Sequence, residues 1–282
     1  HAGNSLTDYP VLLEIPYQPG METDYSDLRF INDDCRGTGT ILTHAIETSN
    51  TTKAQVWVRM PSLTAPSNTI SVYYENPSAT DIQNATGVWN NDHAIVYQME
   101  AAGTDQTVNG RDVVSTLGSP VASVGPAGWE LRFDGVDDAW DMQDIAFWEA
   151  AFTERTHMVA LRTSSDVTTR QAIFGEGGAT NGVLMYVYSD AIWARWWSEG
   201  DGWAGAHLNH SIQPNTEYLI VMDFLRPGTY RLFVNGELVD SGVPPTGVAS
   251  HGGNGGIAYT NTDKDFHDIS TSPAYFNGDI MA

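Results

Sequence analysis

The sequence predicts an all-β chain folded as two β-sandwiches in tandem. Three observations carry this. Apolar and polar residues alternate over short runs, the period of a half-buried strand. These runs recur at regular spacing, with Gly, Pro, Asn and Asp between them. No stretch has the length and period of a convincing helix. A chain of 282 residues also suits two domains of ordinary size.

In the first part, residues 9–16 read as a strand bounded by prolines, hence an edge strand. Strands follow at 25–32, 40–47, 54–60 and 68–75. In residues 54–60, Val56 and Val58 share one face while Gln55, Trp57 and Arg59 share the other. A connection follows at 86–128, containing a lead-in strand at 94–99 and a Gly-, Ser-, Pro- and Val-rich stretch at 113–128 that reads as loop with room for one short strand. The boundary falls near 88, giving a first domain of 1–87 and a second of 88–282.

The second domain opens on residues 130–144. Leu131 and Phe133 alternate with polar neighbours, Asp134-Gly135 turns the chain, and 139–142 resumes extended structure. Strands are expected at 156–162, 171–176, 217–224, 255–259 and 275–281. Residues 182–188 and 191–197 form a hairpin turning at Ser189-Asp190, and 230–239 forms one closed by Asn235-Gly236.

Two resemblances add to this. The blocks Leu6-Thr-Asp-Tyr-Pro-Val-Leu12, Tyr25-Ser-Asp-Leu-Arg-Phe30, Val56-Trp-Val-Arg-Met-Pro-Ser-Leu63 and Ile70-Ser-Val-Tyr-Tyr-Glu-Asn-Pro-Ser-Ala79 occur in order. Together they resemble the surface-protein family catalogued as domain of unknown function 2341. Where that family commonly has Tyr-Gly-Asn-Pro, this chain has Glu75 in place of Gly, which bears on the turn there. The run Phe133-Asp-Gly-Val-Asp-Asp138 and the run Tyr230-Arg-Leu-Phe-Val-Asn-Gly-Glu-Leu-Val239 resemble a laminin-G-like, concanavalin A-like jelly roll. The resemblances imply a surface location and no assigned activity. Compared with such domains both ends look cut, and two expectations stand: a fragment of a larger protein, or a missing strand supplied by a neighbour.

Composition narrows the function. There are 35 acidic and 13 basic residues, a formal net charge of -22, and Lys53 and Lys264 are the lysines. Such a surface stays hydrated in high salt, so a salt-adapted source is one expectation and an ordinary acidic secreted protein the other. Nucleic acid is not an expected partner, because no basic patch is visible. No apolar run is long enough to span a membrane. Cys35 is the single cysteine, which excludes an intrachain disulfide.

Catalytic patterns are missing. Jelly-roll glycosidases use Glu-x-Asp-x-x-Glu, but between Glu149 and Glu154 the sequence has Ala151. No nucleophile elbow, phosphate loop or zinc-protease motif occurs. His207, His210 and His251 lack a placed third ligand, and His1 lacks support as a copper clamp. The chain therefore reads as non-enzymatic.

Two candidate sites remain. Asp134, Asp137 and Asp138, with Asp263, Asp265 and Asp268, offer the oxygen ligands a structural Ca²⁺ prefers; solvated acidic turns are the other reading. In residues 191–197, Trp193, Arg195 and Trp197 share one face, and Tyr186 and Tyr188 can join them across the turn. With Trp203 as a lid, the row has the flat rings and polar groups of a lectin site. An unpaired cation is costly to bury, so this face is expected to point outward while Ile192, Ala194 and Trp196 fill the core. The function expected is extracellular or cell-surface (or virion-surface) binding of a glycan or surface polymer. The alternative is a structural subunit that packs with copies of itself in an appendage, surface layer or virion. A glycoside hydrolase is the weakest reading.

Overall fold

The computed structural model describes the chain except residues 1–4, 34–38, 65–66, 90–91, 127, 144–145, 254, 261–265 and 267–272. His1 and Cys35 lie outside the described residues, as do Asp263, Asp265 and Asp268. The chain is all-β, with two one-turn helices at Ala85–Val88 and Ala146–Glu149 and a 3₁₀ turn at Glu199–Asp201. It divides into two compact units. The first holds His1–Gln98, Thr104–Arg111 and Val124–Trp129; the second holds Met99–Gly103, Asp112–Ser123 and Glu130–Ala282.

The first unit is built on an antiparallel sheet ordered Leu6–Pro16, Lys53–Leu63, His44–Ser49. Lys53–Leu63 is central, and its alternation drives Ala54, Val56, Val58 and Met60 into the core. Pro10 and Pro16 sit on an edge strand, where the missing N–H breaks no ladder on the open side. A second ladder pairs Arg29–Ile31 with Ser71–Tyr73 and shares that core through Phe30 and Val72. Both strands are shorter than the sequence predicts. Tyr25 (φ 59°) and Glu75 (φ 75°) are left-handed and end the extended runs.

The lead-in strand expected at 94–99 does not form a ladder; Tyr97 and Asp105 make one isolated bridge. The Asp105 carboxylate instead accepts hydrogen bonds from the N–H groups of Val96 (3.1 Å), Thr107 (3.0 Å) and Arg111 (2.9 Å). A side chain thus satisfies the donors a partner strand would have taken. Residues 88–98 fall in the first unit, beyond the boundary expected at 87. Val88 and Trp89 pack there with Ala45, and the Trp89 ring lies 4.8 Å from that of Trp57.

Most of the second unit is a sandwich of two seven-stranded sheets. Sheet I runs Glu237–Gly242, Tyr230–Val234, Glu217–Leu225, Glu154–Thr163, Asn277–Met281, Gly128–Asp134, Val121–Gly125. Sheet II runs Trp203–Ser211, Ala191–Ser198, Asn181–Tyr188, Gln171–Gly177, Gly255–Ile257, Ala139–Gln143, Ser115–Leu117. Two strands, Ser115–Leu117 and Val121–Gly125, occupy the stretch where the sequence leaves room for one. The hairpins form as the turn residues dictate. Ser189 and Asp190 have φ of 53° and 59°, and Asn235 has φ 52°, values that suit the right-handed twist of the flanking strands. Leu131, Phe133, Leu161, Met222 and Phe224 of sheet I are buried. Trp196 of sheet II meets Phe224 at 6.0 Å, so its face is the inter-sheet one.

Candidate functional site

The Trp193, Arg195 and Trp197 side chains share the opposite face of sheet II, but that face is closed. Arg195 is 2% exposed and Trp197 is 0% exposed. Tyr186, Trp197, Phe266 and Ala274 form one buried cluster, with Trp193 and Tyr188 packed against its margin. The expectation of an open Trp–Arg–Trp row is therefore corrected. The cation is buried but paired: Arg195 Nη1 donates to the Phe266 carbonyl at 2.8 Å, and the guanidinium lies 4.9 Å from the Trp197 ring centre. Trp197 Nε1 donates to the Gly178 carbonyl at 3.0 Å. Trp203 is not a lid; its ring lies 6.1 Å from Phe224, among the inter-sheet side chains. What stays accessible is the margin, where Trp193 and Tyr188 are half-buried and Tyr186 stacks on Trp193 at 6.2 Å.

The acidic turn after Gly128–Asp134 does gather its carboxylates. One oxygen from each of Asp134, Asp137 and Asp138 lies within 4.8 Å of the others. Gly135 (φ 77°) makes the turn at little steric cost. Asp134 Oδ1 accepts from Val136 N (2.7 Å) and Asp137 N (3.3 Å). These backbone donors hold the Asp134 carboxyl below the usual carboxylate range. Asp138 is buried and accepts from Ser119 N at 2.6 Å and Asp134 N at 3.1 Å. Gly118 permits this approach, since a Cβ there would meet Asp138 Oδ1 at 2.4 Å. The donor set is all oxygen and anionic, which fits a hard cation such as Ca²⁺.

The three aspartates line a cleft of about 850 Å³. Its walls add Arg132, Arg162, Ser164, Asn215 and Asn277. The two arginines are locked by one buried carboxylate: Arg132 Nε donates to Asp279 Oδ1 at 2.9 Å and Arg162 Nη1 to Asp279 Oδ2 at 3.1 Å. Arg162 also reaches Glu217 at 2.8 Å. The cleft thus presents hydrogen-bond donors beside acceptors. Sequence reasoning found its acidic side and missed the rest. Arg162, Asn215 and Asn277 come from distant parts of the chain, and no local pattern links them. His207 and His210 lie on Trp203–Ser211 and join no metal-ligand group among the described residues.

A chain of this architecture, with a polar cleft on a two-sheet sandwich, belongs among β-sandwich proteins. A family model described as Domain of unknown function (DUF2341) matches residues 24–110. No curated protein matches the sequence. Among solved structures, the receptor binding domain of botulinum neurotoxin D is 12% identical with a TM-score of 0.47, covering 67% of this chain and 48% of that one. The binding domain of Paraclostridial Mosquitocidal Protein 1 is 10% identical with a TM-score of 0.48, covering 63% and 45%. The chain spans about half the length of the structures it matches. No helix of the described residues is long and apolar enough to cross a membrane.

Proposed function

We propose that this chain is a non-enzymatic binding module that acts outside the cell, and that its second unit binds a glycan or surface polymer in the cleft beside Asp134, Asp137 and Asp138. The cleft itself carries the reading: about 850 Å³ lined by hydrogen-bonding groups of both charges. The jelly-roll resemblance of the second unit supports the same class. A Ca²⁺ held by Asp134, Asp137 and Asp138 would add a positive centre for ligand hydroxyls. The carboxylates do not favour hydrolysis. A general acid needs a raised pKa, and the Asp134 carboxyl is held down.

The test is a glycan array on the intact chain, run with Ca²⁺ and with EDTA, beside Asp137→Ala. Binding that fades with EDTA and in the variant is expected. A silent array overturns the reading.

One observation favours the alternative of a structural subunit. On the outer face of sheet I, Met158 is 69% exposed beside half-exposed Leu219 and Val221. Such a stripe suits packing against another surface. Filaments or shells under native salt would favour this reading over the first.

A further inference from the structure

We infer that the first unit carries a saccharide site of its own, in the cleft beside the short Arg29–Ile31 and Ser71–Tyr73 ladder. The cleft has a volume of about 360 Å³, and Tyr73, Tyr74, Asn76 and Ser78 line it above Asp27 and Arg29. That size falls in the range of small-ligand sites, roughly 300–1,000 Å³. These residues come from two of the four sequence blocks singled out above. The inference is independent of the reading of the second unit.

The floor is rigid and its charges are already engaged. Arg29 Nη1 donates to the carbonyls of Leu28 (2.7 Å) and Ser26 (3.2 Å), and Nη2 donates to that of Thr80. Asp27 is buried; its Oδ1 accepts from Glu22 N at 3.1 Å and its Oδ2 from Glu75 N at 2.7 Å. An acidic or basic ligand would have to compete with these bonds. An uncharged ligand would not.

The walls supply what an uncharged sugar needs. Tyr73 is 37% exposed and Tyr74 38% exposed. Neighbours on a regular strand point to opposite faces. Here the strand ends at Tyr73 and the backbone reverses at Glu75, so both tyrosines line one cleft. Glu75 pays for that reversal with a left-handed conformation, a strain held by the Asp27 carboxylate. Flat rings stack on sugar C–H faces, while the Asn76 amide and Ser78 hydroxyl can bond ring hydroxyls.

The experiment titrates the full chain, in calcium-free buffer with EDTA, with neutral gluco-, manno- and galacto-oligosaccharides, read by calorimetry and ligand-observed NMR. Saturable binding is expected from at least one series, weakened about tenfold or more in Tyr74→Ala. Asp137→Ala, in the other cleft, should bind as the native chain does. If Tyr74→Ala melts early, Ser78→Trp decides, because it fills the cleft from an exposed loop. Loss of binding in that variant supports the site. No saturable binding by any of the three series overturns it, as does binding unchanged in Tyr74→Ala or Ser78→Trp. Failure of the second-unit reading appears separately, as a silent calcium-dependent arm.

Discussion

Two aromatic rows with an arginine beside them occur in this chain, and they meet opposite fates. Trp193, Arg195 and Trp197 lie beneath Phe266, with Trp197 wholly buried. Tyr73 and Tyr74 flank Arg29 and stay exposed. In both places the guanidinium is spent on backbone carbonyls, so the charge does not tell them apart. What differs is the layer above. In the second unit Phe266, some seventy residues later in sequence, packs over its row. Alternation therefore says which side chains share a face, and says nothing about what will lie over it.

The largest expected effect tests the closed row. Trp197→Ala should cost roughly 3–5 kcal/mol of stability, as much as Trp196→Ala on the inter-sheet face. Chemical denaturation of both variants checks this. A Trp197→Ala loss near zero would reopen the row as a surface.

A second effect separates the units by pH. Burial, helped by the Arg155 charge, pushes the His157 imidazole down to about 3. The folded chain keeps His157 neutral while the unfolded chain takes a proton below about pH 6.5. Its contribution is thus whole above about 6.5 and falls by roughly 1.4 kcal/mol per pH unit below it. His157→Phe should flatten that limb in melting curves between pH 6.5 and 4.5. An unchanged limb would assign the acid sensitivity elsewhere, for instance to buried His44 in the first unit, whose imidazole burial also pushes down.

Smaller effects probe the open row. Glu75→Gly should stabilise the chain by about 1 kcal/mol, by relieving the left-handed backbone. Tyr74→Ala should change stability by less than about 0.5 kcal/mol, since its ring is exposed. A large loss at Tyr74 would make that ring structural and erase the contrast with Trp197.

Much of the fold was legible because its signals are local. The hairpin at Ser189-Asp190, the turn at Gly135 and the inward face of Lys53–Leu63 follow from turn chemistry and from period two. The face division of Ala191–Ser198 was legible too, with Trp196 turned toward sheet I. Its exposure was not, because burial of Arg195 depends on a carbonyl at Phe266. The lead-in strand at 94–99 failed for a similar reason: the carboxylate of Asp105 took the hydrogen bonds a strand would have made. The acidic half of the second-unit cleft was visible as one short run. Its basic half required Arg162 and Asp279, 117 residues apart in sequence, to pair on neighbouring strands of sheet I.

The division into units carries a practical consequence. The chain passes from one unit to the other at 98/99, 103/104, 111/112, 123/124 and 129/130. A protease that nicks one of these junctions leaves the others intact, so a single cut does not release either half. Truncation near residue 88 would likewise strip 88–98, 104–111 and 124–129 from the first unit while leaving them fused to the second. For expression and for limited digestion, the two units cannot be separated as two continuous stretches of sequence.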